Sequence, residues 1–540
     1  MFQRKTQLET FWQEDFAVDD DDVNHLYNLF LEDGAPRTIE DLTLALIRGR
    51  CDREESSIQR ELARGTVYQP RGSYSIGEQI VFPALNFAVG TVVDTREGHN
   101  PEYGDFKVVR LQLEGQKRER EFAAELQEPH RLNLAPVAEN NLLSAEELYS
   151  LYGSTVQQRL LAHLSAGEEF VHFGGEWLPQ VALVEVHVGH RNIAEAVLDV
   201  NGQPMSPDAL LQELDLSTDA SLKTQLFSLN YVLSEDNRFD DAGYEGHVLW
   251  HLQRLVPPEV MYPPRRLLYT PQPYDRTGLI EDLLQLEREI DDECTALIAP
   301  PALIGDSVIV TLNYAHRRVG TLPLMVRTRP LFPEGSTQHT RITFIDRSTN
   351  KEIPGWIVHQ YNYLYGLDEW YKAHEIPVGG YVKLERTGDP LVVGVDYLPR
   401  RMRREWVRVA NVEDGRLVFE MRKVPIACEY DELMVVGETD EARVDELWVQ
   451  TEEQNRSLFS VMCEVFPELA KLNPQGTVHA KTLYSAMNII RRCPPGPIFA
   501  ELVHQSCFQA VGGGYWIYDD SLRGEERQLS TMRQDYGQVD

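Results

Sequence analysis

Cysteine is scarce: Cys51, Cys294, Cys428, Cys463, Cys493 and Cys507 are the only six in 540 residues, and no two form a C-x-x-C pair. That spacing excludes zinc knuckles and a thioredoxin-type redox motif. Reduced, mostly buried thiols are the plain reading. Long apolar runs are also missing, with nothing near the ~18 residues of a membrane span. Met1-Phe2-Gln3-Arg4-Lys5 leads into polar and acidic residues, not an apolar leader segment, so a cytoplasmic chain without membrane contact is expected. Phosphate loops of the G-x-x-x-x-G-K-[ST] kind, H-E-x-x-H and G-x-S-x-G are absent. Gly512-Gly513-Gly514 lies between two β-like stretches and reads as a hairpin tip. Asp19 to Asp22 lacks the glycine and closing glutamate of a calcium loop, which leaves a solvated linker or the acidic first turn of a helix. His187 and His190 read as a surface pair. No catalytic residue, metal ligand or cofactor site is assigned, and the chain is read as a non-enzyme.

What is there suffices for several cores. Apolar residues make up 42% and aromatics 9%, so wholesale disorder is excluded, and the length predicts three to five domains. Residues 1–65 read as helical and 66–135 as a small SH3-like β-barrel with strands over 75–82, 90–95 and 106–114. Residues 142–255 read as a helical region ending in a unit over 190–255. There Ile193, Ala196, Val197 and Val200 have helical spacing, Gly202 stops the helix, and Ser206-Pro207 opens the next. A third helix over 221–233 and two strands around Gly243 and Gly246 follow, with Trp250 expected on a strand and packed. Residues 256–300 read as a proline-rich, semi-rigid linker and a helix whose Leu279, Leu283, Leu286, Ile290 and Leu297 make a short heptad-like seam. A basic β-barrel domain with an appended hairpin is expected over 303–440, a second helical unit with hairpin over 450–520, and a tail over 521–540.

Three helices followed by a β-hairpin make a winged helix, and the order recurs at 190–255 and 450–520, with a parallel, degenerate version around Gly34-Ala35-Pro36 and Thr38-Ile39. Asp199 to Leu252, with Gly202-Gln203-Pro204-Met205-Ser206 and Phe239…Gly243…Trp250, resembles the HARE-HTH winged helices, which include the N-terminal domain of the RNA polymerase delta subunit. The Phe508…Gly514-Tyr515-Trp516 hairpin is similar. The resemblance implies transcription or DNA-associated work. The stretch from Gly320-Thr321-Leu322-Pro323-Leu324 to Gly366-Leu367-Asp368-Glu369-Trp370-Tyr371 resembles the B3-like DNA-binding pseudobarrel.

Charge is segregated. The chain carries 52 Lys and Arg against 85 Asp and Glu, a net −33, yet residues 307–411 hold 15 basic and 10 acidic residues and are net +5. Arg317, Arg318, Arg327 and Arg329, then Arg400, Arg401, Arg403, Arg404 and Arg408, lie among Tyr361, Tyr363, Tyr365, Trp370 and Tyr371. Guanidinium groups beside aromatic faces suit phosphate contact and base stacking. In the C-terminal unit, Lys481, Ser485, Asn488 and Arg492 step along one helical face that offers donors to phosphate and base edges. The 190–255 unit has acidic Glu235, Asp236, Asp240 and Asp241, and is expected to bind protein, another domain of the same chain being one candidate, with exposed Asp240 and Asp241 near basic groups of that partner.

The expected fold class is α+β multidomain, with winged-helix units alternating with small β-barrel domains. The expected function is DNA binding or another transcription-associated role, with DNA, and RNA polymerase or another protein of the DNA-processing machinery, as partners. The alternative is an acidic, polymerase-associated scaffold that never touches DNA. An enzyme of unfamiliar type would need a deep pocket with convergent titratable groups.

Overall fold

The computed structural model describes residues 4–116, 118–133, 142–216, 219–295, 305–335 and 337–524. Leu297 of the seam and most of the 521–540 tail lie outside these residues. The chain is mixed α and β in several sheets and divides into two compact units, 1–192 with 214–235, and 193–213 with 236–540. Among the described residues, no helix is long and apolar enough to cross a membrane.

In the first unit, α1 (Asp20–Asp33) starts where Asp19 and Asp22 form a reciprocal capping box. The acidic run is therefore a helix N-terminus, where carboxylates complement the backbone dipole. Strand β1 (Arg37–Thr38) leads into α2 (Ile39–Leu62), with the Thr38 hydroxyl accepting from the Asp41 amide. Five strands then form one sheet in sequence order: β2 (Thr66–Val67), β3 (Gln79–Phe82), β4 (Ala88–Glu97), β5 (Lys107–Leu113) and β6 (Arg120–Ala124). Its core holds Ile80, Phe82, Val92, Val109 and Leu111. Helix α3 (Ala145–Ala166) and the hairpin β7 (Phe170–Phe173) and β8 (Glu176–Pro179) follow, and β1 joins that hairpin in the order β1-β8-β7.

The next stretch holds α4 (Val188–Asn201), α5 (Pro207–Glu213), α6 (Leu222–Ser234), β9 (Phe239–Asp241) and β10 (Trp250–Leu252). Met205 bridges to Trp250, which is 1% exposed on its strand. These elements fall where the sequence places them, but 190–255 is not one compact unit: α6 belongs with the first unit and α5 and the hairpin with the second. The acids of this hairpin are half-buried, not exposed, and Asp240 meets a basic residue of another region of the same chain. Asp240 pairs with His339 at 2.6 Å, and the Asp241 carboxylate accepts from the Gly243 and Leu249 amides at 2.9 and 3.0 Å.

The proline-rich segment is not a free spacer. It forms α7 (Pro258–Met261), and Val256, Val260 and Leu267 are buried beside Ala315 and Trp356. Helix α8 (Glu281–Ile290) places Leu283 and Leu286 in the C-terminal core and ends at Asp291, whose φ is 47°. The basic region is built from β11 (Ser307–Thr311), α9 (Tyr314–Val319), β12 (Thr321–Pro323), β13 (His339–Asp346), β14 (Glu352–Val358), β15 (Tyr363–Tyr365), α10 (Asp368–Ala373), β16 (Tyr381–Arg386) and β17 (Val392–Tyr397). Its seven strands form one mixed sheet, ordered β11-β16-β17-β13-β14-β15-β12, with β13 and β17 parallel. Two long strands, β18 (Pro399–Glu413) and β19 (Arg416–Cys428), extend from it, and β20 (Gly437–Glu438) adds to β18.

The C-terminal part comprises α11 (Glu441–Glu453), α12 (Leu458–Ala470), β21 (Val478–His479), α13 (Ala480–Ile490), α14 (Pro495–His504), β22 (Phe508–Gly512) and β23 (Tyr515–Tyr518). Its sheet runs β21-β23-β22. Helix, short strand, two helices and a hairpin joined by that strand thus recur in α1–β8, where the five-stranded sheet is inserted, and in α12–β23.

Candidate nucleic-acid interface

The polar face expected on α13 is not available to a ligand. Lys481, Ser485, Asn488 and Arg492 are all 5% exposed or less. Lys481 pairs with Glu289 and Asp431, each at 2.5 Å. Ser485 accepts from the Val435 amide at 2.9 Å, and Asn488 donates to the Tyr484 and Cys493 carbonyls at 2.9 Å. Arg492 donates to Asp292 and Glu293, each at 2.6 Å. The helical period was right and the solvent side wrong, because polar groups can be buried where nearly all of their donors meet acceptors. The partners come from 289–293 and 431–435, distant in sequence.

Asp292, Glu293 and Cys294 are the one group of potential metal ligands among the described residues. The Arg492 guanidinium already lies against both carboxylates, where a cation would stand, so this cluster is an internal ion network. His316, wholly buried, completes it at 3.0 Å from Glu293. Burial alone would push the Glu293 carboxyl up, but Arg492 and His316 outweigh it and hold the group well below the usual carboxylate range.

The arginines of the basic region divide sharply. Arg317 donates to the Ile376 carbonyl at 2.7 Å and lies over the Tyr371 ring. Arg318 pairs with Glu441 and with Asp445 at 2.8 Å, and Arg327 with Asp291 at 2.9 Å. Arg329 is exposed and donates to the Asn362 side chain. Arg400 pairs with Glu405 at 2.6 Å over the Tyr430 ring. Arg317, Arg318, Arg327 and Arg400 are thereby committed to the chain's own acceptors and do not form the open phosphate-binding set expected of them. The interleaved aromatics are largely core as well: Tyr363, Trp370 and Tyr371 are 3% exposed or less.

Arg401, Arg403 and Arg404 remain exposed, on the β18–β19 ribbon. Its tip is Asp414-Gly415 with φ of 49° and 72°, the two-residue turn whose positive φ values match the twist of antiparallel strands. At the other end, pairing jumps from Pro399↔Cys428 to Arg403↔Ile426, so β18 carries extra residues in a bulge around Arg401 and Met402. Beyond the bulge the sides alternate. Val407, Val409 and Ile426 are buried together with Cys428 and Tyr430. The opposite side carries Arg404, Trp406 and, directly across from Trp406, Lys423. Trp406 is 62% exposed and Met402 59%. Among the described residues no carboxylate pairs with Arg401, Arg404 or Lys423, while Arg403 lies near Glu405.

Trp406 and Lys423 were not singled out from the sequence, although the period-2 spacing of Val407 and Val409 already sends Trp406 to the other side. This surface offers unpaired cations around an exposed indole, a combination suited to a polyanion with aromatic groups. No family description, curated protein or solved structure matches the chain.

Proposed function

We propose that the chain is a non-enzymatic DNA-binding protein of a transcription or DNA-processing assembly, and that the β18–β19 ribbon is its contact surface. One observation carries this reading: among the described residues Arg404 and Lys423, on the side of the exposed Trp406, and Arg401, in the bulge, have no carboxylate partner in a chain of net −33. A two-stranded antiparallel ribbon fits the major groove of B-DNA, its cations meet phosphates, and an indole stacks on an accessible base. The helix–strand–helix–helix–hairpin order that recurs in α1–β8 and α12–β23 supports winged-helix units there, whereas the 190–255 segment that carries the HARE-HTH resemblance is divided between the two compact units. The five-stranded and seven-stranded sheets are then the SH3-like and B3-like modules.

The test is the salt dependence of DNA binding by the full chain. Four cations on phosphates give a log–log slope of about −3.6, and R401A/R403A/R404A/K423A should flatten it and cost at least about tenfold in affinity. W406A should weaken single-stranded DNA severalfold, since one stacked base contributes about 1–3 kcal/mol. No binding at about 50 mM salt, or a quadruple variant that binds as the parent does, sinks the reading. The second reading is an acidic scaffold bound to polymerase, favoured by the neutralised Arg318, Arg327 and Arg400. Co-purification with polymerase subunits and without nucleic acid selects it.

A further inference from the structure

A cleft within the second unit, of about 1000 Å3, holds two opposite charges that the chain itself does not compensate. Its floor is a row of cross-strand neighbours, Arg341 on β13, Trp356 on β14 and Tyr365 on β15. Direct partners in a ladder share a face and are spaced by about 4.8 Å, so the outer members of this row stand about 10 Å apart.

At one end, the Arg341 guanidinium lies 5.3 Å from the centroid of the Trp356 ring. It donates to the Gly355 carbonyl at 2.9 Å and to the Ile342 carbonyl and the Gln203 side chain at 3.3 Å, and among the described residues it has no carboxylate partner. At the other end, the Glu259 carboxylate accepts the Tyr365 hydroxyl at 3.2 Å and, among the described residues, has no cationic partner. Of the remaining charges of the rim, Asp199 pairs with Arg254 at 2.7 Å and Arg318 with Asp445 at 2.8 Å, while Asp368 and the solvent-exposed Glu369 share Lys372 at 2.6 and 3.4 Å. His251, 3% exposed beside Trp356, is kept neutral near pH 7 by its burial and by Arg341, and so adds no competing charge.

A half-buried cation and a half-buried anion that line one cleft without meeting are both free to pair with a ligand that carries the two opposite charges. We propose that the cleft binds a short peptide-like zwitterion, its carboxylate on Arg341 and its protonated amine on Glu259. Three extended residues span about 10 Å, comparable to the backbone spacing of the strands that carry Arg341 and Tyr365. The volume is ample for such a ligand with side chains. This site shares no residue with the ribbon, so ribbon variants leave it unchanged and its failure says nothing about DNA binding.

The full chain is probed by saturation-transfer NMR and calorimetry with trialanine, N-acetyl-trialanine, trialanine amide and ATP. Trialanine should bind, and capping either end should weaken binding about tenfold or more, the loss of one charge-assisted contact. E259Q should abolish the penalty for acetylation and R341Q that for amidation. Arg341 also serves the Gly355 carbonyl, so R341K checks the fold: it should keep the preference for a free carboxylate. No transfer to trialanine at about 1 mM, equal binding of free and capped peptides, or a preference for ATP overturns the proposal.

Discussion

Arg492 shows how one side chain can organise an interior. Its guanidinium joins Asp292, Glu293 and Asn488, and the Tyr484 hydroxyl donates to the second oxygen of Asp292 at 2.6 Å. Removing the cation strands two buried carboxylates. R492M should therefore destabilise the chain by about 3–5 kcal/mol, read by chemical denaturation. His251 sets a pH dependence of its own. Burial first, then the neighbouring Arg341, outweigh Asp240 and lower its pKa from 6.5 to about 4, with His339 acting in the same direction. The folded state thus binds the proton less readily than the unfolded one. Stability is full above pH 6.5 and falls as the pH drops toward 4, by up to about 3 kcal/mol. H251Q should flatten that part of the stability profile, and an unchanged profile would show that the ring does not feel its burial.

Among the elements, the β9–β10 hairpin is held by a contact that leaves no room for a side chain. A Cβ at Gly243 would lie 2.0 Å from the His247 carbonyl oxygen and 2.8 Å from the Leu249 nitrogen, both backbone atoms that cannot swing away. G243A should cost more than about 2 kcal/mol and loosen the Asp241 cap, seen as faster amide exchange at Leu249. Local chemistry made much of this element legible. Ser206-Pro207 opens α5, Gly202 (φ 63°) follows α4, and Trp250 lies on its strand. The ribbon was half legible. Its arginines stand out in the sequence, but the pairing that puts Lys423 opposite Trp406 depends on where β19 returns after the Asp414-Gly415 turn.

Across the whole molecule, segregated charge has two different outcomes. Carboxylates of the chain pair with Arg318, Arg327, Arg347 and Arg400, carbonyl oxygens take up Arg317, Arg329, Arg341, Arg386 and Arg408, and among the described residues Arg401, Arg404 and Lys423 on the ribbon are left without a carboxylate. Composition, hydrophobic period and capping chemistry determined the mixed α and β class, the positions of most helices and hairpins, and the division into several cores, because these depend on residues within a few positions of one another. Only the tertiary structure decided which polar groups face solvent. The α13 face and the ribbon are equally polar in sequence. One meets Asp292, Glu289 and Asp431 from distant segments and is buried, whereas among the described residues Arg401, Arg404 and Lys423 meet no carboxylate. A buried charge is tolerable only with its partner in place, and where that partner stands is a property of long-range packing, which no local pattern records.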